Sequence, residues 1–166
     1  MKRFLFLLSG LVLFFATSCL DNIGGDSSSS ATYVGTLTVI DTQSGEVSYS
    51  TNEASVTVAI PNMFEAKLGI VFNGVKFDNM MPALNVAVEG LAFKSAISED
   101  EESINYIFNE EYIIPTVGGI KYEKYRIGVI KGAVGRSADI EFTLPSKEKS
   151  VIFKSKNISD PENELD

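Results

Sequence analysis

Ala138-Asp139-Ile140-Glu141-Phe142-Thr143-Leu144 sets four apolar side chains on one side of an extended chain and three polar ones on the other. Successive side chains of a strand point to opposite faces, so this run reads as a β-strand with one buried and one solvated face. Val56, Val58 and Ile60 repeat the pattern ahead of Pro61-Asn62. So do Phe64, Ala66, Leu68, Ile70 and Phe72 before Asn73-Gly74, and Leu84, Val86 and Val88 further on. Lys121 to Lys131 places Tyr125, Ile127 and Val129 on one face. Tyr33 to Ile40 is rich in β-branched residues and closes in the turn composition Asp41-Thr42-Gln43-Ser44-Gly45, with Val47 to Ser50 as the returning strand. Val75–Phe77, Ile104–Phe108, Tyr112–Ile114 and Val151–Lys154 are further short runs. The breaks fall at Asp78–Pro82, at Asn109-Glu110-Glu111, at Pro115 with Gly118-Gly119, and at Gly132–Gly135. No segment carries a helical period; even Ser98 to Phe108, where Ser precedes acidic residues, lacks apolar positions in its first turn. Nine or ten short strands, about 8–12 residues apart, predict an all-β domain. Short turns between consecutive strands predict an antiparallel up-and-down β-barrel of about eight strands.

The N-terminus has a different composition. Lys2 and Arg3 precede the apolar run Phe4–Phe15, and Ala16-Thr17-Ser18 leads to Cys19, the only cysteine in the chain. The run is shorter than the roughly 20 residues a spanning helix needs, and it has the layout of a signal peptide. Small residues before a lone cysteine identify residues 1–18 as a lipoprotein signal peptide and Cys19 as the lipidated residue. Ala16 stands where such peptides usually carry Leu, and the alternative is an ordinary secretory peptide cleaved near Ser30-Ala31. A diacylglycerol with an N-acyl group would hold the protein on a bacterial outer membrane without any transmembrane helix, its periplasmic or outward orientation left open. Residues 19–32, with Gly24-Gly25 and four serines, read as a flexible tether. Asp21 and Asp26 fit a solvated linker as well as an acidic sorting signal. The domain is expected over 33–155, and residues 156–166 form an acidic tail.

The whole chain of 166 residues carries a net charge of −8; loss of Lys2 and Arg3 with the signal peptide leaves 12 basic and 22 acidic residues, a net −10. That balance opposes nucleic-acid binding, which needs a basic footprint, and opposes docking of the protein surface on anionic lipid. Histidine and tryptophan are absent. No Ser-His-Asp or Cys-His arrangement, imidazole metal ligand or His general base exists, and Cys19 is committed to lipid. The residues therefore predict no enzyme, no catalytic residue, no metal site and no cofactor.

Tyr33-Val-Gly-Thr-Leu-Thr-Val39, Val71-Phe-Asn-Gly-Val-Lys-Phe77 leading through Met81-Pro82-Ala83-Leu84 to Asn85-Val-Ala-Val-Glu-Gly90, and Tyr125-Arg-Ile-Gly-Val-Ile-Lys-Gly132 with Ala138–Leu144 carry a resemblance. Over roughly residues 33–155 the chain resembles the calycin-like β-barrel lipoproteins of gut Bacteroidota. The resemblance implies a lipocalin-like barrel of about eight strands. Its motifs are strand ends, turns and a Met-Pro loop, so it implies no biochemical activity and transfers no catalytic residue.

Few residues stand out as site candidates. Glu99-Asp100-Glu101-Glu102 is dense in carboxylates but lacks the Asp-x-Asp-x-Asp-Gly spacing of a calcium loop, and adjacent residues cannot face each other as a glycosidase pair. It reads as a solvated loop. Met80-Met81-Pro82 has two readings: an adaptable apolar loop over a ligand at a barrel mouth, or side chains that plug one end. On the first reading Met80, Met81, Phe72, Phe77 and Tyr125 are the candidate ligand-binding residues. Phe64, Phe93, Tyr106, Phe108 and Tyr122 join Phe72, Phe77 and Tyr125 at strand spacing and read more simply as core. Tyr122-Glu123-Lys124-Tyr125-Arg126 fits either a carbohydrate-binding surface or a charged edge strand. Gly118-Gly119 and Gly132–Gly135 open no helix and read as turns, not phosphate cradles. The functional expectation is an outer-membrane-anchored binding module, without catalysis, for a small apolar ligand, a glycan or a protein. The alternatives are a fimbrial-type structural or adhesive β-sandwich and a hydrolase that uses only carboxylates.

Overall fold

Pairing between the first and last strands decides the architecture. The computed structural model describes residues 29–62, 66–97 and 103–156; the signal segment, Cys19, Phe64, the run Glu99–Glu102 and the tail beyond 156 lie outside them. Ten strands follow in chain order: β1 (Ser29–Asp41), β2 (Val47–Asn62), β3 (Lys67–Val75), β4 (Leu84–Ile97), β5 (Ile104–Ile113), β6 (Thr116–Val117), β7 (Ile120–Lys121), β8 (Ile127–Val134), β9 (Ala138–Leu144) and β10 (Lys149–Ser155). β1 through β5 pair consecutively and antiparallel, β5 pairs with β8, and β8, β9 and β10 continue the meander. β10 then pairs with β1 from Gly35↔Ser155 to Asp41↔Lys149. Eight strands thus close into an antiparallel up-and-down barrel, the architecture expected from the alternation. The short β6–β7 hairpin sits outside the circuit, attached to β4 through Val86↔Val117 and Ala87↔Thr116.

Closure puts one face of every strand inside. In β9, Ala138, Ile140, Phe142 and Leu144 are buried while Asp139, Glu141 and Thr143 are not. Phe72 of β3 and Phe142 of β9 stand on opposite walls, four strands apart in the circuit, yet their ring centroids are 5.0 Å apart. The walls therefore touch through side chains at this layer, as an eight-stranded barrel interior allows. The aromatic candidates Phe72, Phe77, Phe108 and Tyr125 are core, and Phe93 packs edge-on against Tyr106 beside it. Outward-facing side chains include the ion pairs Lys131–Glu141 and Lys154–Asp139. These pairs put charge of both signs on the outer face of β8, β9 and β10. No helix of the described residues is long and apolar enough to cross a membrane.

Several expected boundaries move, each for a local reason. β1 begins at Ser29 rather than Tyr33, because the 16-residue β2 offers partners as far as Ser29↔Ile60. The last four residues assigned to the tether are therefore strand. Val47–Ser50 and Ser55–Ile60 are one strand: the polar Asn52 and Glu53 form a bulge opposite Thr36, whose hydroxyl donates to Asn52 Oδ1 at 3.2 Å. Asn109-Glu110-Glu111 is strand too, paired with Lys131, Ile130 and Val129 of β8.

Gly132 lies inside β8 rather than in a turn. A Cβ there would meet the Asp139 carbonyl oxygen at 2.4 Å and Phe108 Cζ at 2.8 Å, so the glycine serves close packing. The turn comes later, where Gly135 N–H donates to the Ser137 carbonyl. Lys121–Lys131 is not one strand. Glu123–Tyr125 forms a 3-10 turn, and Ile127 and Ile130, three residues apart, are the buried ones rather than Val129; here the alternation breaks and Val129 N–H donates to the Thr143 hydroxyl at 3.1 Å.

The meander sorts its connections between two ends. Ser29, the ends of β2 and β4, the starts of β3 and β5, the 135–137 turn and Lys156 share one end. Residues 42–46, 76–83, 114–126 and 145–148 share the other. The chain therefore enters the barrel at the end opposite the Met-Pro loop.

Candidate functional site

The Met-Pro loop follows β3 and is fixed by its own polar residues. Asp78 Oδ1 accepts from Met80 N–H at 3.0 Å, and the Asp78 carbonyl accepts from Met81 N–H. Asn79 Nδ2 donates to the Ser48 carbonyl at 3.0 Å, which ties the loop to the start of β2. An aspartate that satisfies the backbone two residues on is a usual way to hold such a turn. Phe77, just before it, is buried and meets Phe142 edge-on at 5.8 Å.

Tyr125 comes to the same place from a different direction. The Glu123–Tyr125 turn buries it against Phe77, with centroids 5.6 Å apart, and its hydroxyl donates to Met81 Sδ at 3.4 Å. Burial, and secondarily the nearby Tyr122 phenol, push the Tyr125 hydroxyl above its ordinary pKa. A second 3-10 turn, Pro145–Lys147, packs beside the first; Ser146 Oγ donates to the Lys124 carbonyl at 2.7 Å. These segments enclose an open hollow of about 390 Å³ lined by Phe77, Met81, Pro82 and Tyr125, with Asp78, Met80 and the lysines 124, 147 and 149 around it. That volume lies within the range of small-molecule sites.

The structure thus gathers four of the five candidate ligand-binding residues. Phe77, Met81 and Tyr125 line the hollow, and Met80 borders it with its side chain 96% exposed. Met80 plugs nothing; only Met81 is half-buried against the core. Phe72 does not reach the hollow. It is fully buried one layer below, where it supports Phe142 and through it Phe77. Within the Tyr122–Arg126 run, Lys124 and Tyr125 face the hollow, and Arg126 pairs with Glu123. Lys147 and Lys149 were not legible as site residues. The turn composition Pro145-Ser146-Lys147 was their one local signal, and 64 residues of chain separate Met80 from Pro145.

Among the described residues, Lys149 is the lysine here with a carboxylate partner, Asp41 Oδ2 at 2.9 Å. Asp41 also accepts from the backbone N–H groups of Ser44 and Gln43. The Ser44 amide, then the Lys149 ammonium and the Gln43 amide, hold its carboxyl well below the usual carboxylate range. A depressed folded pKa adds stability above the unfolded value, near 4, and loses it as pH falls below that. In Asp41→Asn the amide oxygen still caps the turn but the charge is gone. The variant should unfold at lower urea than the wild type at pH 7, and the gap should close as pH falls from about 4 toward 2. A gap that stays constant over that range would rule out the linkage.

Two other hollows differ in character. One opens where β4 and β5 part, because β4 pairs with β5 only from Phe93 to Ile97; Glu89, Tyr112, Thr116 and Lys121 border it. The other runs along the outer wall over Gly132 and Ala133, between the two ion pairs. The first has Tyr112 as its one aromatic, which is exposed; the second includes the core residue Phe108 but is bordered by the charged Lys131, Asp139, Glu141 and Lys154. Among the described residues no group of three His, Cys, Asp or Glu side chains is placed to hold a metal ion. Comparison of the chain with protein-family models, with curated proteins and with solved structures finds no match.

Proposed function

We propose that the chain is a lipid-anchored module of a bacterial outer membrane that binds a small molecule, without catalysis, at the mouth of its barrel away from the anchor. The observation that carries the reading is the preformed hollow of Phe77, Met81, Pro82 and Tyr125 at the end opposite Ser29. A lipid on Cys19, ten residues before Ser29, would place the barrel's other end outermost. The resemblance to calycin-like lipoproteins agrees with this layout. The filled layer at Phe72 and Phe142 favours a ligand seated at the mouth over one deep in the barrel. A strand-donating adhesive is less well supported, because β1 and β10 take up each other's edges.

The test uses residues 19–166 with Cys19→Ser and the neutral fluorophore N-phenyl-1-naphthylamine. Saturable binding at one site per chain is expected, weakened about tenfold or more by Met80→Glu with Met81→Glu, since carboxylates at an apolar mouth must be desolvated or keep it wet. No saturable binding would overturn the ligand reading. In cells, Cys19→Ala should abolish labelling by an alkyne fatty acid, and persistent labelling would overturn the anchor.

A further inference from the structure

Resting on that reading, we infer that the mouth selects an anionic amphiphile, its apolar body on Phe77, Met81 and Tyr125 and its acidic group against Lys124 and Lys147. The charge around the hollow runs against the rest of the molecule. In a chain of net charge −8, three of the nine residues around it are lysines and one is a carboxylate. That carboxylate, Asp78, already accepts from Met80 N–H, and Asp41 answers Lys149. Lys124 and Lys147 have no carboxylate partner among the described residues.

Their convergence is built by the fold. Lys124 and Lys147 lie on separate 3-10 turns, and the bond from Ser146 Oγ to the Lys124 carbonyl clamps those turns together. Both lysines border the apolar floor, so an anion seated there would meet two cations. A neutral apolar ligand would leave both ammonium groups without a role, and an inorganic anion would leave the aromatic floor without one. A carboxylate, sulfate or phosphate ester on a hydrocarbon body satisfies both. Charge-assisted hydrogen bonds to the ammonium groups would then add selectivity to an affinity that comes mainly from the floor.

Such a molecule has two sources, free in solution or in a lipid surface. The mouth lies at the barrel end opposite the one the chain enters from Cys19, which favours the free form. The experiment displaces N-phenyl-1-naphthylamine from the soluble protein with dodecanoate or with 1-dodecanol, equal in chain length and different in charge. Dodecanoate should displace it at a concentration about tenfold lower. Lys124→Gln with Lys147→Gln should remove the advantage, Lys124→Arg with Lys147→Arg should keep it, and 0.5 M salt should shrink it. Lys94→Gln, on the exposed wall of β4, should leave it unchanged. Equal displacement by acid and alcohol would overturn this inference while leaving the binding reading intact; absence of fluorophore binding would defeat that reading first. Retention on phosphatidylglycerol vesicles without displacement by free dodecanoate would also overturn it, in favour of a lipid surface.

Discussion

Gly35→Ala is expected to destabilise the barrel by about 3 kcal/mol or more, at the upper end of what overpacking costs. Gly35 stands where β1 meets β10, and a Cβ built on it would lie 2.1 Å from the Lys154 carbonyl oxygen and 2.6 Å from Ser155 Cα. Both obstacles are backbone, so no side chain can swing aside. The strands would have to separate at the seam that closes the circuit, next to the bonds from Lys156 N–H to the Val34 carbonyl and from Ala138 N–H to Ser155 Oγ. Urea denaturation gives the size of the loss. Hydrogen exchange gives its place: amides of β1 and β10 should lose protection before those of β3 and β4. Gly69→Ala is the matched control, because its Cβ would find only the Val88 carbonyl oxygen, at an ordinary 3.7 Å. A Gly35→Ala midpoint equal to that of Gly69→Ala would show that the seam has more room than its geometry indicates.

The importance of Gly35 illustrates which parts of the structure the sequence disclosed. Period-two alternation needs only near neighbours, so the strands with clean patterns, Val56–Ile60 and Ala138–Leu144, were legible together with the face each buries. Their number and short turns were enough for a barrel. Closure is nonlocal. Gly35 looks like any glycine in a β-rich run until β10 is laid against it, 120 residues later in the chain. Polar stretches misled for a related reason: Asn52-Glu53 and Asn109–Glu111 have turn composition, but the bulge in one and the pairing of the other with β8 keep them extended. The site divides in the same way. Met80-Met81-Pro82 was conspicuous because its residue types are unusual in sequence, whereas Lys147 and Lys149 acquire meaning only when the 145–148 turn is brought beside it. Phe72 is a candidate by its face alone and lies outside the hollow, since alternation tells which face a side chain takes but not its depth along the barrel axis.

That depth gives the other large effect. Phe142→Ala should cost about 3–5 kcal/mol, the usual range for removing a buried phenylalanine ring, against a total stability of about 5–15 kcal/mol for such a domain. Phe142 touches the opposite wall through Phe72 at 5.0 Å and supports Phe77 at 5.8 Å. Its ring is 1% exposed, and its neighbours belong to closed, hydrogen-bonded strands that cannot collapse far into the space it leaves. Phe142→Leu should cost less than half as much by refilling most of the volume. Glu141→Ala, one residue away but facing water in an exposed pair with Lys131, should change stability by no more than about 1 kcal/mol. Because Phe77 rests on Phe142 and forms part of the mouth, Phe142→Ala should also weaken N-phenyl-1-naphthylamine binding under conditions where the variant remains folded, with Glu141→Ala unaffected. A stability loss with binding unchanged would mean that the mouth is held by its own loop, through Asp78, Asn79 and the Tyr125 hydroxyl, and does not depend on the filled layer beneath it.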